Sequence, residues 1–219
     1  MAREHDDSMM NNLYWWGVPT LFRCPHIGIL DERMKDADIA LVGVPHSTGN
    51  GTTERDQHLG PRAVRHMSAV QRRVHSEFEL DPWSAKNIID VGDVPFPKAN
   101  DNEDCIEQIT SFYHRLDEAA VRPVSIGGDH SITGGIVQAL GCGNITNGEP
   151  VCFLHLDAHT DVFTKVDHFL GAKNQQPIGV RILLTKAKWT RLIQCKLGCE
   201  DTLAHKIGSS LLMIMVIML

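Results

Sequence analysis

The chain reads as an α/β protein built on a parallel sheet with helices on both faces. Two features predict this. Short apolar runs of strand length alternate with longer stretches of helical period, as strand–helix–strand units require. The runs are also apolar throughout, as strands covered on both faces must be.

The elements follow in order. Residues 39–44 (IALVGV) are a short apolar run leading into Pro45, which suits a buried strand emptying into a loop. The loop, residues 45–60, is rich in Gly, Thr, Ser and Asn. Pro61 fits the first turn of a helix, and residues 62–74 carry apolar side chains at near-helical spacing. Residues 88–91 predict a second strand and residues 101–120 a long helix. A strand over 122–126 ends at Gly127-Gly128, a helix spans 131–140, and a strand over 151–156 runs straight into Asp157. In such sheets ligands bind beyond the carboxyl ends of the strands.

Composition narrows the function classes. The 219 residues are 42% hydrophobic with a net charge of -6, enough for one sizeable core. No Lys/Arg-rich run points to nucleic acid, so a small polar substrate is the better expectation. Six cysteines (Cys24, Cys105, Cys142, Cys152, Cys195, Cys199) are spread through a chain too long to need a disulfide scaffold, and they read as reduced thiols. Cys195 and Cys199 lack the second pair that a zinc site would need. The N-terminus has early acids and no apolar stretch of signal-peptide length, which predicts a cytoplasmic protein. Residues 174–219 carry six basic and two acidic side chains, against fifteen and twenty-five in residues 1–173, so the chain divides there into a main domain and a divergent tail. The tail ends in nine apolar residues, 211–219, far short of the about 20 that span a membrane. They read either as a buried terminal strand or helix, or as an end with no place in the fold.

The chemistry concentrates in LHLDAHTD. Asp157, His159 and Asp161 alternate immediately after an apolar strand, so in extended chain their side chains point the same way. Two carboxylates cannot be brought together cheaply without a cation or hydrogen bonds. Carboxylates with one imidazole suit a divalent ion such as manganese. A second cluster, SIGGDHS, brings His130 out of a tight Gly-Gly turn at another strand end. Asp129 reads more simply as a cap for the helix beginning at Ser131, and His155 as a core or supporting residue. His46, His58, His66, His75 and His114 have no partner at ligand spacing and read as surface or satisfied core histidines.

The segments LVGVPHSTGNGTTERDQHLGPRAVR, VRPVSIGGDHSIT and LHLDAHTDVFTKVDHF, in this order, resemble the successive signatures of the ureohydrolase (arginase/agmatinase) family, on the agmatinase and guanidinobutyrase side. The resemblance runs from about Leu13 to Lys173. It implies a three-layer αβα domain with a mainly parallel sheet, two Mn2+ ions, and hydrolysis of a small guanidino compound, agmatine or 4-guanidinobutyrate, to urea and an amine. Its metal residues carry over onto His130, Asp157, His159 and Asp161. Its proton-shuttling histidine falls on His168, and the loop over residues 47–58 borders the substrate mouth.

The resemblance also implies what is missing. Relatives continue for roughly another hundred residues, with a later D-x-D pair and a glutamate beside the substrate. After Lys173 this chain has only the adjacent acids Glu200 and Asp201. The fold is therefore expected to be incomplete on its C-terminal side, with metal binding weakened and the sheet left with an open edge. The alternative function is a catalytically inactive metal-binding or interaction protein, forming a homo-oligomer or associating with a full-length relative. A single-metal hydrolase acting on another carbon–nitrogen bond is the third reading.

Overall fold

Strand β1 (Ile39–Val44) lies between β2 (Ile88–Asp93) and β3 (Arg122–Gly127), parallel to both, and is buried along almost its whole length. That position explains why IALVGV is apolar without alternation: its side chains point alternately to two covered faces. In the computed structural model the described residues are 17–49, 56–71, 73–141 and 143–148, together with the backbone of three further strands.

One face receives Ala40, Val42, Val44, Ile89 and Val91. They pack with Ile106, Ile109, Tyr113 and Leu116 of α3 (Asn102–Glu118) and with Ile132, Ile136 and Leu140 of α4 (Ile132–Leu140). Leu41, Ile88 and Ile126 point the other way, onto Leu21 and Cys24 from the N-terminal segment, with Val64 of α1 (Gly60–Ser68) and Trp83 of α2 (Pro82–Ala85) packed beside them. Helix, sheet and helix thus form three layers, as expected. Asp101 caps α3 by accepting from the Asp104 N–H at 3.1 Å. Helices α3 and α4 pack closely because Gly135 has no side chain: a Cβ there would lie 3.0 Å from Ile109 Cγ2.

Strands β4 (Phe153–Asp157) and β5 (Leu192–Lys196) form a separate parallel pair, and β6 (Val216–Ile217) pairs parallel with β3 to give the order β2-β1-β3-β6. Within the apolar end, the described part is the backbone of residues 216–217. Of the tail, the backbone of residues 192–196 and 216–217 is described, and the rest lies outside the described residues. Among the described residues no helix is long and apolar enough to cross a membrane.

Two boundaries differ from expectation. Helix α1 ends at Ser68 and does not continue to residue 74. Arg73 donates to the backbone oxygens of Phe22 and Arg23 and lies 5.6 Å over the Trp83 ring, and His75 bridges back to Leu80, so tertiary contacts hold this stretch off the helix axis. Strand β2 continues past Val91 to Asp93 through an irregularity in its pairing with β1, where Gly92 adopts a positive φ of 88°.

Candidate metal centre

The carboxyl ends of β1 and β3 meet in one tight piece of chain. Strand β3 closes at Gly127, and Gly128 turns with φ at 66°, a conformation open to glycine. A Cβ on Gly128 would run into the Val44 oxygen and lie 2.8 Å from that of His46, so the turn requires glycine for space as well. It delivers Asp129 and His130 to the base of α4, where both are buried.

The loop after β1 is tied onto this turn. The Asp129 N–H donates to the His46 oxygen at 2.9 Å, and the Gly128 N–H to the Gln57 oxygen at 3.4 Å. Gly60 lies so close that a Cβ would be 2.5 Å from the Gly127 oxygen. His46 itself is a satisfied core histidine: buried, 2.9 Å from Asn102 Oδ1 through Nε2, and tilted against Phe96. Ser47 and His58, one on each arm of the loop, meet at 3.3 Å (Oγ to Nδ1) at the exposed rim. His66, His75 and His114 are on the surface.

Asp129 acts as the turn former that its position suggests. Its Oδ1 accepts from the Ser131 N–H at 3.0 Å and from Ser131 Oγ at 2.5 Å. Its other oxygen, Oδ2, is buried with no hydrogen-bond partner among the described residues, as is the Thr133 hydroxyl.

Of the four ligands expected from sequence, His130 is the one whose side chain is described. The backbone of Asp157 ends β4, as expected, but its side chain lies outside the described residues, and so do His159, Asp161 and the proton-shuttle candidate His168. Among the described residues no three His, Cys, Asp or Glu side chains gather as a metal site.

The donors that are described suit manganese. An imidazole and a buried carboxylate oxygen are the nitrogen and oxygen ligand types that such an ion takes. Among the described residues, burial, with the charges of Asp104 and Asp101 adding to it, pushes the Cys105 thiol up to about 11, so this thiol stays protonated.

Sequence reading missed two polar sets. Asn102, the partner of His46, stands 56 residues away with no local signal. Asp90, an acid inside an apolar strand, was the one visible hint of the ion cluster that it forms with Arg65 and Asp93.

With this geometry in place, the similarities to known proteins can be weighed. The Arginase family model matches residues 37–191, and the chain belongs to that family. It is 34% identical over 145 residues to guanidinopropionase of Pseudomonas aeruginosa, a match covering 66% of this chain and 42% of that protein. It is 32% identical over 157 residues to guanidinobutyrase of the same organism, covering 72% and 46%. The chain thus spans less than half the length of either relative. The crystal structure of a hypothetical agmatinase from Burkholderia thailandensis shares the fold at a TM-score of 0.71 and 21% identity, covering 88% of this chain and 57% of that one.

Proposed function

We propose that this chain is a manganese-dependent amidinohydrolase that splits a small guanidino compound into urea and an amine. One observation carries the reading: in a chain of this family, a buried imidazole, His130, emerges from a glycine turn at the carboxyl end of β3, the position where parallel sheets bind ligands. A second strand, β4, ends at Asp157 and leads into His159 and Asp161.

His130, Asp157, His159 and Asp161 would hold the metal. When bound, manganese supplies Lewis-acid activation of water near neutral pH. The reaction adds water to the guanidinium carbon and breaks the bond from that carbon to the substituted nitrogen, which leaves as the amine. The leaving nitrogen needs a proton, and His168 is the residue assigned to deliver it. The Ser47–His58 pair offers hydroxyl and imidazole donors at the rim, where the far end of a substrate would pass.

The names of the relatives include a guanidinopropionase, a guanidinobutyrase and agmatinases, so 3-guanidinopropionate, 4-guanidinobutyrate and agmatine are the candidate substrates.

A second reading has its own support. Residues 174–219 contain only the adjacent acids Glu200 and Asp201, so the chain brings no separated acidic pair from this region to complete a two-metal shell. A metal-binding member without turnover fits that composition.

Urea release from the three compounds, with and without added Mn2+, tests the proposal, alongside elemental analysis of the dialysed protein. Urea formed only with Mn2+ supports the hydrolase. Bound metal without urea favours the inactive member, and no bound metal removes both.

A further inference from the structure

We infer that Asp129 is a positioning residue for the metal, holding the turn that aims His130 with one carboxylate oxygen and supplying buried negative charge beside the imidazole with the other. This rests on the metal-dependent reading above and deepens it.

The two oxygens of Asp129 have different surroundings. Oδ1 is engaged twice by Ser131 and forms the turn into α4. Oδ2 is buried in a residue only 1% exposed and meets no donor among the described residues. A turn-forming aspartate at a surface would turn that oxygen to water, and here it is shut away with the Thr133 hydroxyl nearby in sequence and equally buried.

The described ion pairs leave Asp129 aside. Arg65 serves Asp90 and Asp93, Lys98 serves Asp104, Arg33 serves Asp31, and Lys86 serves Asp38. A buried carboxylate without a cation is costly, and a divalent ion held by the next residue, His130, would offset that cost. The loop after β1 lies against this turn through His46 and Gly49. Gly49 lies directly over the Asp129–Ser131 hydrogen bonds, so close that a Cβ there would collide with the Ser131 side chain.

The charge and turn-forming roles separate cleanly in two variants. Asp129→Asn keeps an oxygen to accept from Ser131 and removes the charge. Ser131→Ala keeps the charge and removes one of the bonds that hold the turn. Each is compared with the wild-type chain by thermal unfolding after metal removal and by calorimetric titration with MnCl2.

For Asp129→Asn the metal-free chain should melt no lower than wild type, because a buried charge with no partner among the described residues is gone, while Mn2+ affinity falls by roughly 10-fold or more. Ser131→Ala should melt lower and bind Mn2+ close to wild type. The opposite signs in stability and affinity are what a purely structural aspartate cannot produce. If Asp129→Asn binds Mn2+ like wild type, or loses affinity only along with metal-free stability, this inference falls and the hydrolase reading stands. If the wild-type chain itself takes up no Mn2+, both fall.

Discussion

Arg65 on α1 grips both carboxylate oxygens of Asp90, a residue buried within β2, with Nε and Nη2 each 3.1 Å away. The N–H groups of Leu21 and Gly92 complete the shell of Asp90, and the third guanidinium nitrogen reaches Asp93 at 2.5 Å. One residue thus fastens α1, the N-terminal segment and the sheet edge together.

Removing the cation leaves the anion stranded. Arg65→Ala should destabilise the chain by about 3–5 kcal/mol, measured by urea unfolding at neutral pH. Arg65→Met with Asp90→Asn should cost clearly less, because no uncompensated charge stays buried. Equal losses for the two would show that packing, not charge, dominates here.

The same site predicts a pH dependence. Burial pushes the Asp90 carboxyl up, but the Arg65 hydrogen bonds, the two backbone N–H groups and the Arg65 charge together bring it below the usual range. A carboxylate lowered in the folded state contributes stability above its unfolded value, about 3.9, and loses it as pH falls through the folded one. The urea midpoint of the wild type should therefore drop steeply below about pH 4. Asp90→Asn should flatten that drop, and an unchanged slope would remove Asp90 from the acid response.

Tyr113 is buried with its hydroxyl 2.5 Å from Ser125 Oγ. Desolvation raises its hydroxyl far above the ordinary tyrosine value, against the opposing Ser125 bond. A group raised on folding adds stability that is complete below the unfolded value, about 10, and fades as pH climbs toward the folded one. Of the two tyrosines in the chain, Tyr113 should therefore ionise only as the fold opens, seen as tyrosinate absorbance rising together with loss of helical circular dichroism. Tyr113→Phe should cost about 1–2 kcal/mol by leaving the Ser125 hydroxyl without this partner.

Gly128→Ala tests the turn beneath the candidate metal centre. Its positive φ and the nearby Val44 and His46 oxygens forbid a side chain. The substitution should cost roughly 2–5 kcal/mol in thermal unfolding and shift His130. Mn2+ binding by the refolded variant at wild-type affinity would show that His130 is placed by other contacts.

If the proposed hydrolase acts on a guanidino acid, His58→Ala should raise KM for 4-guanidinobutyrate by about 10-fold with little change in kcat, since a bond to a remote carboxylate is the same in substrate and transition state. Agmatine kinetics should respond less. A fall in kcat with constant KM would instead place His58 at the chemistry.

Sequence alone determined the three-layer α/β class of the fold and the glycine turn at the end of β3. Uninterrupted apolar runs of strand length such as residues 39–44, ending at a loop, suit strands covered on both faces, and the Gly127-Gly128 pair announces a turn that side chains cannot make. Those signals are local, carried by neighbours in the chain. Only the tertiary structure decided that residues 69–74 leave the helix for the Arg73–Trp83 contact, that His46 finds Asn102, and that Asp90 finds Arg65. Each of these is settled by partners roughly ten to nearly sixty residues away in sequence. Burial gives such pairings their energy, because a polar group shut away from water must find its complement wherever the fold brings one. Asp129 shows both sides: a local role beside Ser131 was legible two residues along, though as a turn and not as the expected helix cap, and the burial of its second oxygen exists only once β1, β3 and α4 have closed around it.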